Sequence, residues 1–197
     1  MNYLFVVSGF TQQRHATHDS GSIAIFEDLE CYRSIDTIVM LMEYSDDPVG
    51  WARRVAQRMN PGDKLMACVY SYGGGWWFRK FVAELHRLGV TVDVVVMCDP
   101  VYRREVWMRF MQWRAMTKWW TQTLRIPQPN ITRCVHFIQH VNKPGGDRLV
   151  LHPSVEYEGP HELDRKHVKI DNAPEYREAC NVEAEKLFGP KPQVSMI

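Results

Sequence analysis

Apolar residues along this chain fall into short, unbroken runs, each closed by turn-forming residues. "NYLFVVSGF" at 2–10, "DTIVMLMEY" at 36–44, "KLMACVYS" at 64–71 and "VTVDVVVMCDP" at 90–100 share this form. Runs of this length without alternation predict strands buried on both faces, as in a parallel sheet. Between them the period changes to that of a helix. Part of 22–32, "DPVGWARRVAQRM" at 47–59 and "WWFRKFVAELHRLG" at 76–89 carry helical spacing, and in the last Phe78, Phe81, Val82, Leu85 and Leu88 line one face before Gly89 stops it. A further strand is expected at "ITRCVHFIQHV", 131–141, and a closing helix at "NAPEYREACNVEAEKLFG", 172–189, with Pro174 near its start. Alternating strands and helices imply right-handed crossovers and an α/β fold: a three-layer sandwich with a mainly parallel central sheet.

The least regular stretch is "VYRREVWMRFMQWRAMTKWWTQTLRIPQPN", 101–130. Val106, Phe110, Trp113, Trp120 and Leu124 could share one helical stripe, yet Trp107, Met108, Met111, Met116 and Trp119 put large apolar groups on other faces. Three readings remain open here: a thick core helix, a lid over a pocket, or a nucleic-acid surface on which aromatic rings stack bases between basic side chains.

Composition narrows the class. A chain of 197 residues suits one domain, 45% hydrophobic and 24% charged residues are ordinary for a soluble protein, and no apolar run is long enough to span a membrane. The N-terminus lacks a basic leader and reads as a first strand rather than a signal peptide. Five cysteines, an odd number with no CxxC pair, suggest neither a disulfide framework nor a zinc knuckle, and a reducing cytoplasm fits best. The net charge of +1 hides an uneven distribution: 106–146 contains no Asp or Glu, whereas the chain after Asp147 is acidic. Such a basic stretch can attract an anionic ligand or form a solvated face.

The chemistry begins at "VYSYGGG", where Ser71 stands between an apolar run and a helix. In parallel α/β sheets ligands bind beyond the carboxyl ends of the strands, and a serine on a sharp strand-to-helix turn exposes its hydroxyl there. The Tyr72 amide would open the helix and could stabilise an oxyanion. A Gly-rich packing turn explains the same letters, and neither phosphate-binding glycine fingerprint is present. Asp99 follows the next apolar run, where a carboxylate could hold an imidazole in one tautomer, and His167 lies in a polar loop before the last helix, so Ser, Asp and His occur in that order, each at the carboxyl edge or in a loop of the expected sheet. His136 and His140 could face one side of a strand as metal ligands, but no matching carboxylate spacing supports a metal site.

With these residues the sequence resembles the α/β-hydrolase family, in particular its small serine esterase, lipase and thioesterase-like members, from the first strand to the final helix. Val69-Tyr70-Ser71-Tyr72-Gly73 matches the elbow Gly-x-Ser-x-Gly, with Gly74 following; Val69 departs from it by placing a β-branched residue where the family prefers glycine. The resemblance implies one α/β-hydrolase-like domain over 1–197, with 103–126 a candidate lid or cap. It makes Ser71 the nucleophile, Asp99 the acid and His167 the base, with His161 the next candidate for the base and His152 and His140 nearby. Tyr72 and Phe10 would supply the oxyanion amides, Phe10 or Thr11 being the choice in "VSGFT". Because the aromatic and Met content of the segment from Val106 to Arg125 exceeds what one helix stripe can bury, that segment, with Trp119 and Trp120, is expected to border the substrate entrance. The implied activity is hydrolysis of a small-molecule acyl ester or thioester through an acyl-enzyme, without metal or organic cofactor. The alternative is a non-catalytic relative that binds an anionic ligand, a protein or a nucleic acid. Neither a protein nor a nucleic-acid partner has a motif to support it, and the oligomeric state is not legible.

Overall fold

The expected apolar runs pair as strands because each is covered on both sides. In the computed structural model, which describes residues 1–9, 20–102, 123–142 and 145–191, β1 (Asn2–Val7), β2 (Thr37–Met42), β3 (Leu65–Tyr70), β4 (Val92–Cys98), β6 (Ile131–Ile138) and β8 (Glu156–Glu162) form a six-stranded sheet in the order β2-β1-β3-β4-β6-β8. Every neighbouring pair is parallel. Two shorter strands, β5 (Thr123–Ile126) and β7 (Arg148–Leu151), make a separate parallel pair.

Side chains alternate across the central sheet and build two cores. Tyr3, Phe5, Leu65, Ala67 and Val95 face one layer, formed by α2 (Pro48–Arg58), α3 (Arg79–Arg87) and the buried Leu124 and Ile126 of β5. Leu4, Val6, Met66, Cys68 and Val96 face the other, formed by α1 (Gly21–Leu29) and α5 (Pro174–Phe188). The result is a three-layer α/β sandwich. Local sequence sets the helix ends: Asp47 caps α2 by accepting the Val49 amide at 3.1 Å, with Pro48 following it. Gly89 adopts φ 73° after α3 while the Val90 amide reaches back 3.0 Å to the Leu85 carbonyl.

Several elements differ from the sequence reading. The tail of the 103–126 segment is strand β5, not helix; the remainder of that segment, with Trp119 and Trp120, lies outside the described residues. The exposed strand β8 has no apolar pattern and is held by backbone bonding to β6. His167, expected in a loop, opens a one-turn helix, α4 (His167–Ile170), and is buried. Among the described residues no helix is long and apolar enough to cross a membrane, and all five cysteines are free, four of them buried.

Candidate functional site

The strand order brings β3, β4 and β6 side by side, so Ser71, Asp99 and Gln139, each the first residue beyond its strand, share the carboxyl edge of the sheet. Ser71 at φ 51° and Asp99 at φ 45° are the two non-glycine residues with positive φ among the described residues. A left-handed conformation at a residue with a Cβ is costly and persists only where the surroundings impose it. Here both chains turn sharply, and the Val101 amide locks the two turns together through the Ser71 carbonyl at 2.9 Å.

The glycines after Ser71 let the chain pass directly into a helix, first as a widened π-helical turn, Gly73–Phe78, and then as α3. A Cβ on Gly73 would lie 2.6 Å from the Ser8 carbonyl oxygen, so that position excludes any side chain. Val69 fits for a related reason: it is fully buried, and a Cβ on Gly74 would come only 3.3 Å from its Cγ2. The space that a glycine would save on the strand is saved on the helix instead.

The structure brings Ser71, His167 and Asp99 into one chain of hydrogen bonds. Ser71 Oγ lies 2.8 Å from His167 Nε2, and His167 Nδ1 is bonded directly to Asp99 Oδ2. All three are buried, with exposures of 6%, 5% and 0% in that order, where electrostatic contacts are strengthened by the low local dielectric. Because Asp99 is surrounded by donors, it accepts the Nδ1 proton, which leaves Nε2 as the acceptor for the Ser71 hydroxyl. Asp99 Oδ1 receives the Gly146 amide at 2.6 Å and the Gln139 amide at 3.3 Å, and Oδ2 receives Gln139 Nε2 at 3.1 Å.

His167 is fixed from behind as well. Its amide donates to Asn142 Oδ1 at 2.7 Å, and the Tyr70 hydroxyl donates to its carbonyl at 2.5 Å. The Tyr70 ring lies against the imidazole with centroids 5.4 Å apart. Burial raises the Tyr70 phenol far above its ordinary pKa, so it remains a donor.

Other expected residues fall elsewhere. Tyr72 follows Ser71 in the first turn of the helix and is buried, with its ring stacked on Trp76 at 5.9 Å. Phe10 and Thr11 lie outside the described residues. His161 stands on the exposed edge strand, 3.2 Å from Glu158 and with its ring tilted against Phe137 at 5.0 Å between centroids, and is not a partner of Ser71. His152 bonds Ser154 at 2.8 Å, and His140 is exposed near Glu162. His136 is buried, with Nδ1 2.9 Å from the Tyr157 hydroxyl. Among the described residues no group of three or more His, Cys, Asp or Glu could hold a metal ion.

Some of the positive charge read from 106–146 is consumed internally. Arg133 on β6 bonds Glu156 and Glu158 on β8 and Glu183 on α5, joining the basic stretch to the acidic one. Gln139, Asn142, Gly146 and Tyr70 were not singled out from the sequence. Only Gln139 carried a signal, because like Asp99 it ends an apolar run at the carboxyl edge. The chain matches no protein-family model, no curated protein and no solved structure.

Proposed function

We propose that this chain is a serine hydrolase of the α/β-hydrolase kind that cleaves an ester or thioester through an acyl-enzyme. The observation that carries the reading is the continuous hydrogen-bonded line from the Ser71 hydroxyl through His167 to Asp99, built on a serine held at φ 51° on a strand-to-helix turn. A serine kept only for packing has no need of a buried, tautomer-fixed imidazole at its hydroxyl.

In this mechanism Ser71 Oγ attacks the acyl carbonyl carbon while its proton passes to His167 Nε2. Asp99 holds the ring and stabilises the imidazolium that forms. The negative charge on the carbonyl oxygen meets the Tyr72 amide at the helix start, with the positive end of the helix dipole behind it. Collapse breaks the bond to the leaving oxygen or sulfur, which takes the proton from Nε2. Water then attacks the acyl-serine by the same steps in reverse, and Ser71 regains its proton.

A fluorophosphonate probe tests this directly, since only a serine with a positioned base reacts rapidly at phosphorus. Intact-mass measurement should show one adduct on the folded protein, none on Ser71→Ala, and labelling slowed by orders of magnitude in His167→Ala. A folded wild-type protein inert to the probe and to short acyl esters and thioesters would overturn the proposal.

A further inference from the structure

The contacts around Asp99 close on themselves. Gln139 Nε2 donates to Asp99 Oδ2, the same oxygen that receives His167 Nδ1, and also to the Asn142 carbonyl at 3.0 Å. The Asn142 amide returns to Gln139 Oε1 at 3.0 Å, and Asn142 Oδ1 accepts the His167 amide. Asp99, Gln139, Asn142 and His167 therefore form a ring of hydrogen bonds in which the acid and the histidine are joined twice, once directly and once through Gln139 and Asn142. We propose that Gln139, acting with Asn142, is the positioning residue that holds Asp99 Oδ2 and His167 Nδ1 in line. As far as it concerns turnover, this rests on the hydrolase reading above.

The physical case is one of constraint. Asp99 and His167 are 68 residues apart and come from different elements, and nothing in their own bond fixes the carboxylate plane relative to the ring. Gln139 is fully buried, stands at the end of β6 and is tied to the sheet, so it carries the rigidity of the strand to the carboxylate. Its amide suits the place better than a carboxylate would. Glutamine donates to Oδ2, whereas a glutamate at that distance would repel Asp99 or share a proton with it. The other titratable groups that sense Asp99 are His136, Tyr70 and Cys98, and Asp171 lies near the last two.

Gln139→Met keeps the length of the side chain and removes its hydrogen bonds, and Asn142→Ala removes the acceptor for the His167 amide. Each should lower kcat by about ten- to a hundredfold, the scale for a reacting group displaced by a fraction of an ångström to an ångström, with KM nearly unchanged. Gln139→Glu should move the acidic limb of the pH–rate profile upward, because two carboxylates would then compete for one proton. That displacement follows from the added charge; what a merely structural glutamine would not give is a fall in kcat at unchanged KM in Gln139→Met, without loss of the fold. Independently of turnover, the low-field proton resonance of His167 Nδ1–H in histidine-labelled protein should be sharp in the wild type and shifted or broadened by exchange in Gln139→Met.

Wild-type activity together with unaltered kcat and Nδ1–H resonance in Gln139→Met would overturn the positioning role and leave the hydrolase reading intact. An inert wild type whose Nδ1–H resonance still depends on Gln139 would keep the positioning role and remove the hydrolase. Should Gln139→Met fail to fold, Asn142→Ala, at a half-buried loop position, tests the same ring: an unchanged resonance and kcat there would overturn the proposal.

Discussion

Placing a single methyl group at Gly146 should disable the site without replacing any of its three principal residues. A Cβ on Gly146 would stand 2.4 Å from Asp99 Oδ1, about 1 Å inside the 3.4 Å at which ordinary contact begins, and 3.0 Å from the Asp99 Cα. Neither side can yield freely. The loop is held by the Asp147 amide on the Pro100 carbonyl at 2.7 Å and by the Tyr102 amide on Asp147 Oδ2 at 2.5 Å, while Asp99 is bonded to Gln139 and His167. The carboxylate must then rotate or withdraw by a large fraction of an ångström, which breaks its alignment with His167. Gly146→Ala should therefore cost about 1–3 kcal/mol of stability, the usual range for overpacking a filled interior. It should slow fluorophosphonate labelling of Ser71 by about a hundredfold, the scale of a 1 Å misplacement. Chemical denaturation and time-resolved intact-mass labelling measure the two effects separately. Labelling at the wild-type rate in a variant of wild-type stability would refute the reasoning, since it would mean that the Asp99 carboxylate is not held where its contacts place it.

Two further outcomes concern stability. Burial lowers the pKa of His136 to about 4 from an ordinary 6.5, with Tyr157, Asp99 and His161 as its titratable neighbours; the unfolded chain takes up a proton that the folded chain refuses. The associated stability is fully present above pH 6.5 and is lost as the pH falls towards 4, so urea unfolding at pH 7 and pH 5 should show a drop about 2 kcal/mol larger in the wild type than in His136→Gln. Equal drops would remove His136 as the source. Arg133→Met should destabilise the fold by about 2 kcal/mol, because Glu183, with a side chain only 5% exposed, would keep Lys186 but lose its bonds to the guanidinium; a change under about 0.5 kcal/mol would show that these ion pairs are screened as surface pairs are.

What the sequence determined by itself is what depends on local pattern. β1, β3 and β4 were legible because a strand buried on both faces is apolar at nearly every position, polar residues being confined to the ends as at Asn2 and Asp93, and α3 because an amphipathic helix must repeat its apolar face every three to four residues. Ser71 and Asp99 were legible because both stand at the ends of such strands. Tertiary structure decided whatever is fixed by contacts distant in sequence. β8 carries "EYEGPHE" and exposes most of it, so it is a strand only through its bonding to β6 and its glutamates' pairing with Arg133. Which histidine meets Ser71 was likewise not local. His161 and His167 are both histidines in polar surroundings, and the separation of 96 positions between Ser71 and His167 is bridged only when the parallel sheet and α4 fold together. Asn142 looks like an ordinary polar loop residue, and Gln139, though it ends an apolar run, shows no partner until the carboxyl edges of β4 and β6 meet, because a hydrogen bond is specified by the position of its partner, and a linear sequence does not contain that position.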